Sequence, residues 1–329
     1  MLWIAEGFDD PLDGVIDHLV RFEIPENLWK NLGSLPVPSW LAPKPGPEDR
    51  SRINTKNFIS FIDSNGCKNF ADETDHFVTD RILPHIPCMI GIDHSLTGGV
   101  YSALCRHYGK ENLSLIIIDS HTDAVPMSVL SGAIQYDMDT NPDSVHDAND
   151  PFLYNRPDSY NASSFIHTLI KEKQVAAKNL YIVGVSDYPD KKSLRIKDPR
   201  IKKYTNAYVG LKRKGATIIT KKDCKLTPRK ITGLFKKIST PYVYVSIDMD
   251  IGAGNALEGV RFRNWKGLKE TNICKLADAV TKIFSSSVHL AGMDICEIDP
   301  RRAGAVYPSG RDQTYKIAAN LIKKIGFNL

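Results

Sequence analysis

From residue 87 onward, short apolar runs alternate with longer amphipathic stretches. The apolar runs cover residues 88–92, 113–118, 180–185, 216–220, 242–247 and 289–295. Their length reads as strands, and their near-continuous hydrophobicity points to burial on both faces. The amphipathic stretches read as helices. One begins at His94 or Ser95, runs to about residue 107 and is stopped by Gly109; others cover 163–173, 198–214, 228–238, 271–284 and 312–325. Strands alternating with helices of this length predict an α/β fold built on a mostly parallel sheet.

Two regions break the pattern. Residues 1–86 carry a cluster of prolines (Pro36, Pro38, Pro43, Pro45 and Pro47) and more charge. They read as an edge strand or two followed by an extended loop, part of a single domain spanning 1–329. Residues 126–160 hold Asp137, Asp139, Asp143, Asp147, Asp150 and Asp158 among Asn and Pro. This segment reads as a long loop, and loops of that length in compact domains usually serve function.

Bulk properties narrow the class. The 329 residues are 42% hydrophobic and 25% charged, ordinary for a globular protein with a sizeable core. A net charge of +5 is mild for this length and gives no argument for a nucleic-acid partner. The basic clusters at 202–203, 212–214, 221–222 and 236–237 read as solvated helix faces. Six cysteines without a C-x-x-C pair read as buried free thiols. With no secretory signal at Met1 to Glu6 and no apolar stretch of membrane-spanning length, the expectation is a cytoplasmic protein without a membrane partner. A homo-oligomer is compatible with the chain.

The chemistry concentrates in three segments that each follow an apolar run. They are Gly91-Ile92-Asp93-His94-Ser95, Asp119-Ser120-His121-Thr122-Asp123 and Ser246-Ile247-Asp248-Met249-Asp250. Residues two apart on an extended chain point the same way, so Asp119, His121 and Asp123 can share one side, as can Asp248 and Asp250. Two imidazoles and four carboxylates exceed what one divalent ion needs and suit a pair of ions bridged by shared carboxylates. Each segment alone has a plainer reading. A D-x-H-x-D or D-x-D at a strand end often caps a loop, and Asp93 or Ser95 can serve as an N-cap. The metal reading rests on all three occurring in order at strand ends, where open α/β sheets place their sites.

Together these segments resemble the ureohydrolase family of arginases and agmatinases. Its motifs are G-G-D-H-S, D-A-H-x-D and S-x-D-x-D. A fourth element, Gly292-Met293-Asp294-Ile295-Cys296-Glu297-Ile298-Asp299-Pro300, is similar to the family's late strand, which ends in a glutamate. The resemblance runs from about residue 87 to the C-terminus and implies a three-layer αβα sandwich with two Mn2+ ions. It assigns His94, Asp119, Asp123 and Asp248 to one ion, and His121, Asp119, Asp248 and Asp250 to the other. The reaction it implies is hydrolysis of a guanidino group to urea and an amine. Asp123 would handle the proton and Glu297 would hold the guanidinium. Alternatively, Glu297 is a buried salt-bridge partner of Arg301 or Arg302.

The departures concern substrate. Arginases carry Ser-Gly-Asn-x-His-Gly after the second motif; here the run is Ser131-Gly132-Ala133-Ile134-Gln135-Tyr136. The loop Val185-Ser186-Asp187-Tyr188-Pro189-Asp190 resembles the family's α-amino-binding run only in part, leaving Gln135, Asp187 and Asp190 as candidate substrate contacts. The guanidine end is intact while the end that reads free arginine is altered. Agmatine-like guanidino compounds, arginine within a peptide, and free arginine all fit, and the altered end favours the peptide, giving peptidyl ornithine. A non-catalytic metal-binding relative is the rival. Deacetylases of a related fold carry a His-His pair, and binuclear phosphoesterases a Gly-Asn-His-Glu run; neither occurs here.

Overall fold

A computed structural model describes residues 7–225, 228–252, 257–263, 267–284, 287–308 and 310–327. The Met1 to Glu6 stretch, where a secretory signal is not found, lies outside the described residues. In chain order the main elements are α1 (Pro11–Arg21), α2 (Thr55–Asp63), α3 (Gly66–Phe77), β1 (Cys88–Gly91), α4 (Thr97–Tyr108), β2 (Leu113–Ile118), α5 (Met127–Thr140), α6 (Phe165–Lys171), β3 (Leu180–Val185), α7 (Pro199–Arg213), β4 (Thr217–Thr220), α8 (Pro228–Phe235), β5 (Tyr242–Asp248), α9 (Glu270–Thr281), β6 (His289–Cys296), a short hairpin of β7 (Val306–Tyr307) and β8 (Gly310–Arg311), and α10 (Thr314–Gly326).

The six long strands form one sheet in the order β1-β6-β5-β2-β3-β4, and every neighbouring pair is parallel. Alternating side chains feed two cores. Ile116, Ile118, Val245, Ile247 and Ile295 face a layer that includes residues of α1, α8, α9 and α10; Leu113, Leu115, Ile117, Ile182 and Tyr244 face a layer from α3, α4, α6 and α7. The architecture is therefore the three-layer αβα sandwich expected. β2 is buried at every position, which explains why its sequence shows no alternation. Each fully buried aliphatic side chain there contributes roughly 1.5–3 kcal/mol.

Local signals set the helix ends. Asp10 caps α1 by accepting from Leu12 N at 2.8 Å, with Pro11 in the first turn. Gly109 ends α4 with φ +84°, a conformation that disfavours side chains. Three expectations need correction. The described part of residues 1–86 holds α1, α2 and α3 and no strand; a proline in a first helical turn mimics a breaker, and the extended run is confined to the proline-rich stretch between α1 and α2. Residues 126–160 are not one long loop, because α5 occupies Met127–Thr140. Its side chains are mostly half-buried where it packs on α7, so its apolar stripe is weak. Finally, the cysteines are free but not uniformly buried: Cys67, Cys224 and Cys296 are buried, Cys105 and Cys274 intermediate, and Cys88 exposed.

Candidate metal centre

β2 and β5 are neighbours, yet the chain leaves β2 toward β3 on one side and β5 toward β6 on the other. Such a reversal opens a crevice beyond the C-terminal strand ends. The three segments meet there. One ligand atom each from His94, Asp119, Asp123 and Asp248 lies within 4.8 Å of the others, and Asp119, His121 and Asp250 form a second group on the same criterion. Asp119 belongs to both. Nδ1 of His94 lies 2.8 Å from Asp123 Oδ2, 3.2 Å from Asp119 Oδ2 and 3.5 Å from Asp248 Oδ2. Nδ1 of His121 lies 2.9 Å from Asp250 Oδ2 and 3.5 Å from Asp119 Oδ1. His94 is fully buried, while the His121 side chain is half exposed and marks the open side of the crevice.

Capping and ligand geometry coexist in the aspartates. Asp119 Oδ1 accepts from His121 N at 2.6 Å, and Asp248 Oδ1 accepts from Asp250 N at 2.7 Å. Asp250 Oδ1 accepts from the Ser120 hydroxyl at 2.8 Å. In each case one oxygen ties down the loop and the other turns into the crevice. The D-x-H-x-D spacing works here without extended backbone: Asp123 is left-handed, at φ +46°, and so is Glu297 at φ +70°. Non-glycine residues held there cost about 1–3 kcal/mol each, a strain that clusters at functional sites. Gly184, at the end of β3, permits the close approach on the other flank, since a Cβ would lie 2.8 Å from the Asp119 carbonyl oxygen.

The donor set fits divalent cations on electrostatic grounds. Burial first, and repulsion from Asp119 second, push Asp123 up to about 8. Asp248 and Asp250 are raised for the same reasons, with burial leading. Burial alone would raise Asp119 and lower His94, but the close imidazole–carboxylate contacts of Asp119 with His121 and His94, and of His94 with Asp119 and Asp123, reverse both shifts. Four buried carboxylates and two imidazoles thus share protons that a cation would displace. Two buried atoms, His94 Nδ1 and Asp119 Oδ2, have no hydrogen-bond partner. Both point into the group.

A polar network behind His94 sets its orientation, and the sequence reading assigned it no role. Nε2 of His94 lies 2.8 Å from the Ser246 hydroxyl, which donates to Asp294 Oδ1 at 2.6 Å. Asp294 Oδ2 accepts from Thr97 at 2.8 Å and from the Tyr244 hydroxyl. With the Ser246 proton committed to Asp294, Ser246 accepts from His94 Nε2–H, so Nδ1 is the nitrogen that faces the carboxylates, holding a proton toward them in the metal-free protein and offering its lone pair to a cation once that proton leaves. A signal was legible: Tyr244, Ser246 and Asp248 are polar positions at a spacing of two along a buried strand, and buried polar groups need partners.

Glu297 follows β6 and is 4% exposed. Oε1 accepts from His94 N at 3.3 Å, whereas Oε2 is buried without a partner. Burial and then Asp93 raise its pKa to about 8. Arg302 pairs with Asp299 at 3.6 Å, so among the described residues no ion pair joins Glu297 to Arg301 or Arg302. Asp93 caps the turn at His94, accepting from Ser95 N at 2.9 Å. The other candidates diverge. Asp187 lies beyond β3, where Oδ2 accepts from Tyr208 at 2.6 Å while Oδ1 is buried and unpartnered. Burial raises it to about 6. Gln135 sits on α5 and donates to the Leu153 carbonyl, tying the helix to the following loop. Asp190 is exposed and accepts from Ser193 N at 2.7 Å, capping a turn. The structure therefore brings the six candidate ligands and Glu297 together, sets Asp187 nearby, and turns Gln135 and Asp190 to local structure.

Comparison with known proteins gives the family and the fold. The sequence matches the Arginase family over residues 49–327. Similar solved structures include arginase from Bacillus cereus, 14% identical with TM-score 0.58, covering 95% of this chain and 88% of that one. Proclavaminate amidino hydrolase from Streptomyces clavuligerus is 17% identical with TM-score 0.54, covering 78% of this chain and 68% of that one. Formimidoylglutamase from Bacillus subtilis is 18% identical with TM-score 0.51, covering 79% of this chain and 65% of that one. No curated protein matched in sequence. At these identities the structural likeness speaks to fold alone. The sequence match covers most of the chain, and on that ground the chain belongs to the arginase family, whose members are metal-dependent hydrolases of linear amidines.

Proposed function

We propose that this chain is a two-manganese hydrolase acting on arginine within a peptide, releasing urea and leaving ornithine, with residues 1–329 as one domain. The observation that carries the guanidine part is Glu297 Oε2, a buried carboxylate oxygen with no partner beside the ligand group. A guanidinium supplies what it lacks, a positive charge with paired N–H donors. His94, Asp119, Asp123 and Asp248 would hold one ion, and His121, Asp119, Asp248 and Asp250 the other. Oxygen-rich sets with one imidazole each favour manganese over zinc.

When bound, such ions supply an activated water at neutral pH. Glu297 accepts two guanidinium N–H bonds and orients the central carbon toward the ligand group. One Asp123 carboxylate oxygen takes the proton released as the C–O bond forms and returns it to the departing nitrogen as the C–N bond breaks. Water and the guanidinium side chain are consumed, and urea and a protonated amine result.

The peptide preference rests on the altered amino-acid end. Ala133 has no polar side chain, and Gln135 is engaged by Leu153 O. A site lacking partners for an α-carboxylate and α-ammonium gains little from them, whereas the amides of a peptide are less costly to bury. The test is urea release by manganese-loaded protein from arginine, agmatine, guanidinobutyrate and arginine-containing peptides. The expected kcat/KM for a suitable peptide is at least about tenfold above free arginine, roughly 1.4 kcal/mol. Efficient turnover of free arginine or agmatine with peptides inert would overturn the peptide choice.

A further inference from the structure

A second concavity is built where the proline-rich segment, which straddles the start of the family match at residue 49, meets the chain beyond β6. Lys44, Pro45, Pro47, Arg50 and Ile53 from that segment meet Arg301 around a cavity of about 500 Å³. Three of its six lining side chains are cationic. Lys44 is paired with the exposed Asp9 at 2.7 Å, while no side-chain partner of Arg50 or Arg301 occurs among the described residues. Prolines and Ile53 supply a stiff apolar wall, which offers the cations no acceptor of its own. Arg301 stands four residues beyond Glu297, so their Cα atoms are at most about 14 Å apart. The cavity therefore lies at the same end of the sheet as the metal centre.

We propose that this cavity is an anion subsite that receives a carboxylate of the substrate, an acidic side chain or C-terminus a few residues from the scissile arginine. The inference rests on the proposed guanidino hydrolase activity and adds what its substrate carries. A guanidinium can take a carboxylate through two parallel N–H bonds, which an ammonium cannot. An acid reader at this distance compensates for the altered arginine end described above. Both arginines are solvent-exposed, so the attraction is screened by salt.

The experiment uses full-length protein and two peptides with one arginine each, one ending in Glu with a free C-terminus, the other ending in Gln-amide. Binding is read by calorimetry alongside urea release. Wild type binds the acidic peptide at least about tenfold more tightly at low salt. The Arg50→Gln/Arg301→Gln double variant loses that preference with metal content and Tm unchanged. Lys236→Gln/Lys237→Gln removes the same net charge from an exposed site elsewhere and keeps it. Equal affinity of wild type for both peptides, or loss of preference in the lysine control as well, overturns the subsite. Charge-selective binding with no urea from either peptide would instead overturn the hydrolase reading and leave the anion subsite standing.

Discussion

The Ser246 hydroxyl stands 2.8 Å from Nε2 of His94, and this contact decides which imidazole nitrogen faces the carboxylates. Ser246 holds the ring only because Asp294 takes its proton. Replacing Ser246 with Ala removes the acceptor for Nε2–H inside a fully buried pocket. Outer partners of metal-ligating histidines typically contribute 10–100-fold in metal affinity, about 1.4–2.7 kcal/mol. The expected outcome for Ser246→Ala is weaker metal binding in that range, measured by titration with a competing chelator. Unchanged affinity would show that Phe165, which packs on the ring at 5.1 Å, suffices to orient it.

Removal of single carboxylates should separate the two ions. Asp248 falls in the His94 group only, where burial first and the charge of neighbouring Asp250 second raise its carboxyl, so its proposed bridging role rests on substitution. Asp248→Ala should abolish both ions, whereas Asp250→Ala should chiefly weaken one. Metal analysis of the purified variants by mass spectrometry reads the count. Two ions per chain in the Asp248 variant would exclude bridging.

Glu297→Gln keeps the shape of the side chain and removes its charge. If Oε2 receives the guanidinium, kcat/KM should fall by about two orders of magnitude, roughly 3 kcal/mol of transition-state binding, with metal content unchanged. Near-normal turnover would return Glu297 to a structural role. Its left-handed backbone and its bond to His94 N make Tm a needed control.

Stability of the metal-free protein should fall with rising pH. Asp123 and Glu297 are raised from 3.8 and 4.5 to about 8, so the folded state holds protons that the unfolded state has released. Groups raised in this way stabilise the fold fully below about pH 4 and cease to do so as pH climbs through about 8. The raised imidazole of His94 acts with the same sign above its ordinary value. Asp119, held low, keeps its contribution across this window and loses it only in acid. Metal-free Tm is therefore expected to drop between about pH 5 and 8, and the added stability from metal to grow over the same interval, because cations displace those protons. Thermal scans with and without chelator check both halves, and a metal-free Tm that rises across this range would contradict the proton inventory.

How much of this was readable depends on the kind of interaction. The strands β2 and β3 match the predicted ranges residue for residue, because a strand buried on both faces must be apolar throughout. The ligand segments were equally visible, since acidic and imidazole groups gathered directly after such strands do nothing for the core and cost free energy when buried. Even the two readings of Asp119 and Asp248, cap and ligand, prove compatible, because a carboxylate has two oxygens. Helix α5 escapes a sequence reading because its apolar stripe is weak, whereas α1, α2 and α3 are amphipathic and were hidden by the proline cluster and charge around them.

What the sequence determined by itself was composition of the centre: which residues, in which order, at the ends of which strands. Tertiary structure decided everything that depends on angle. The order β1-β6-β5-β2 brings together segments separated by more than a hundred positions, and no local pattern encodes that adjacency. The left-handed turns at Asp123 and Glu297 aim their carboxylates, and packing, not propensity, holds a non-glycine residue there. The tautomer of His94 follows from Ser246 and Asp294 on two other strands, and Gln135 is claimed by Leu153 O. Hydrogen bonds of this kind are short-ranged and directional, so they exist only once the fold has fixed both partners.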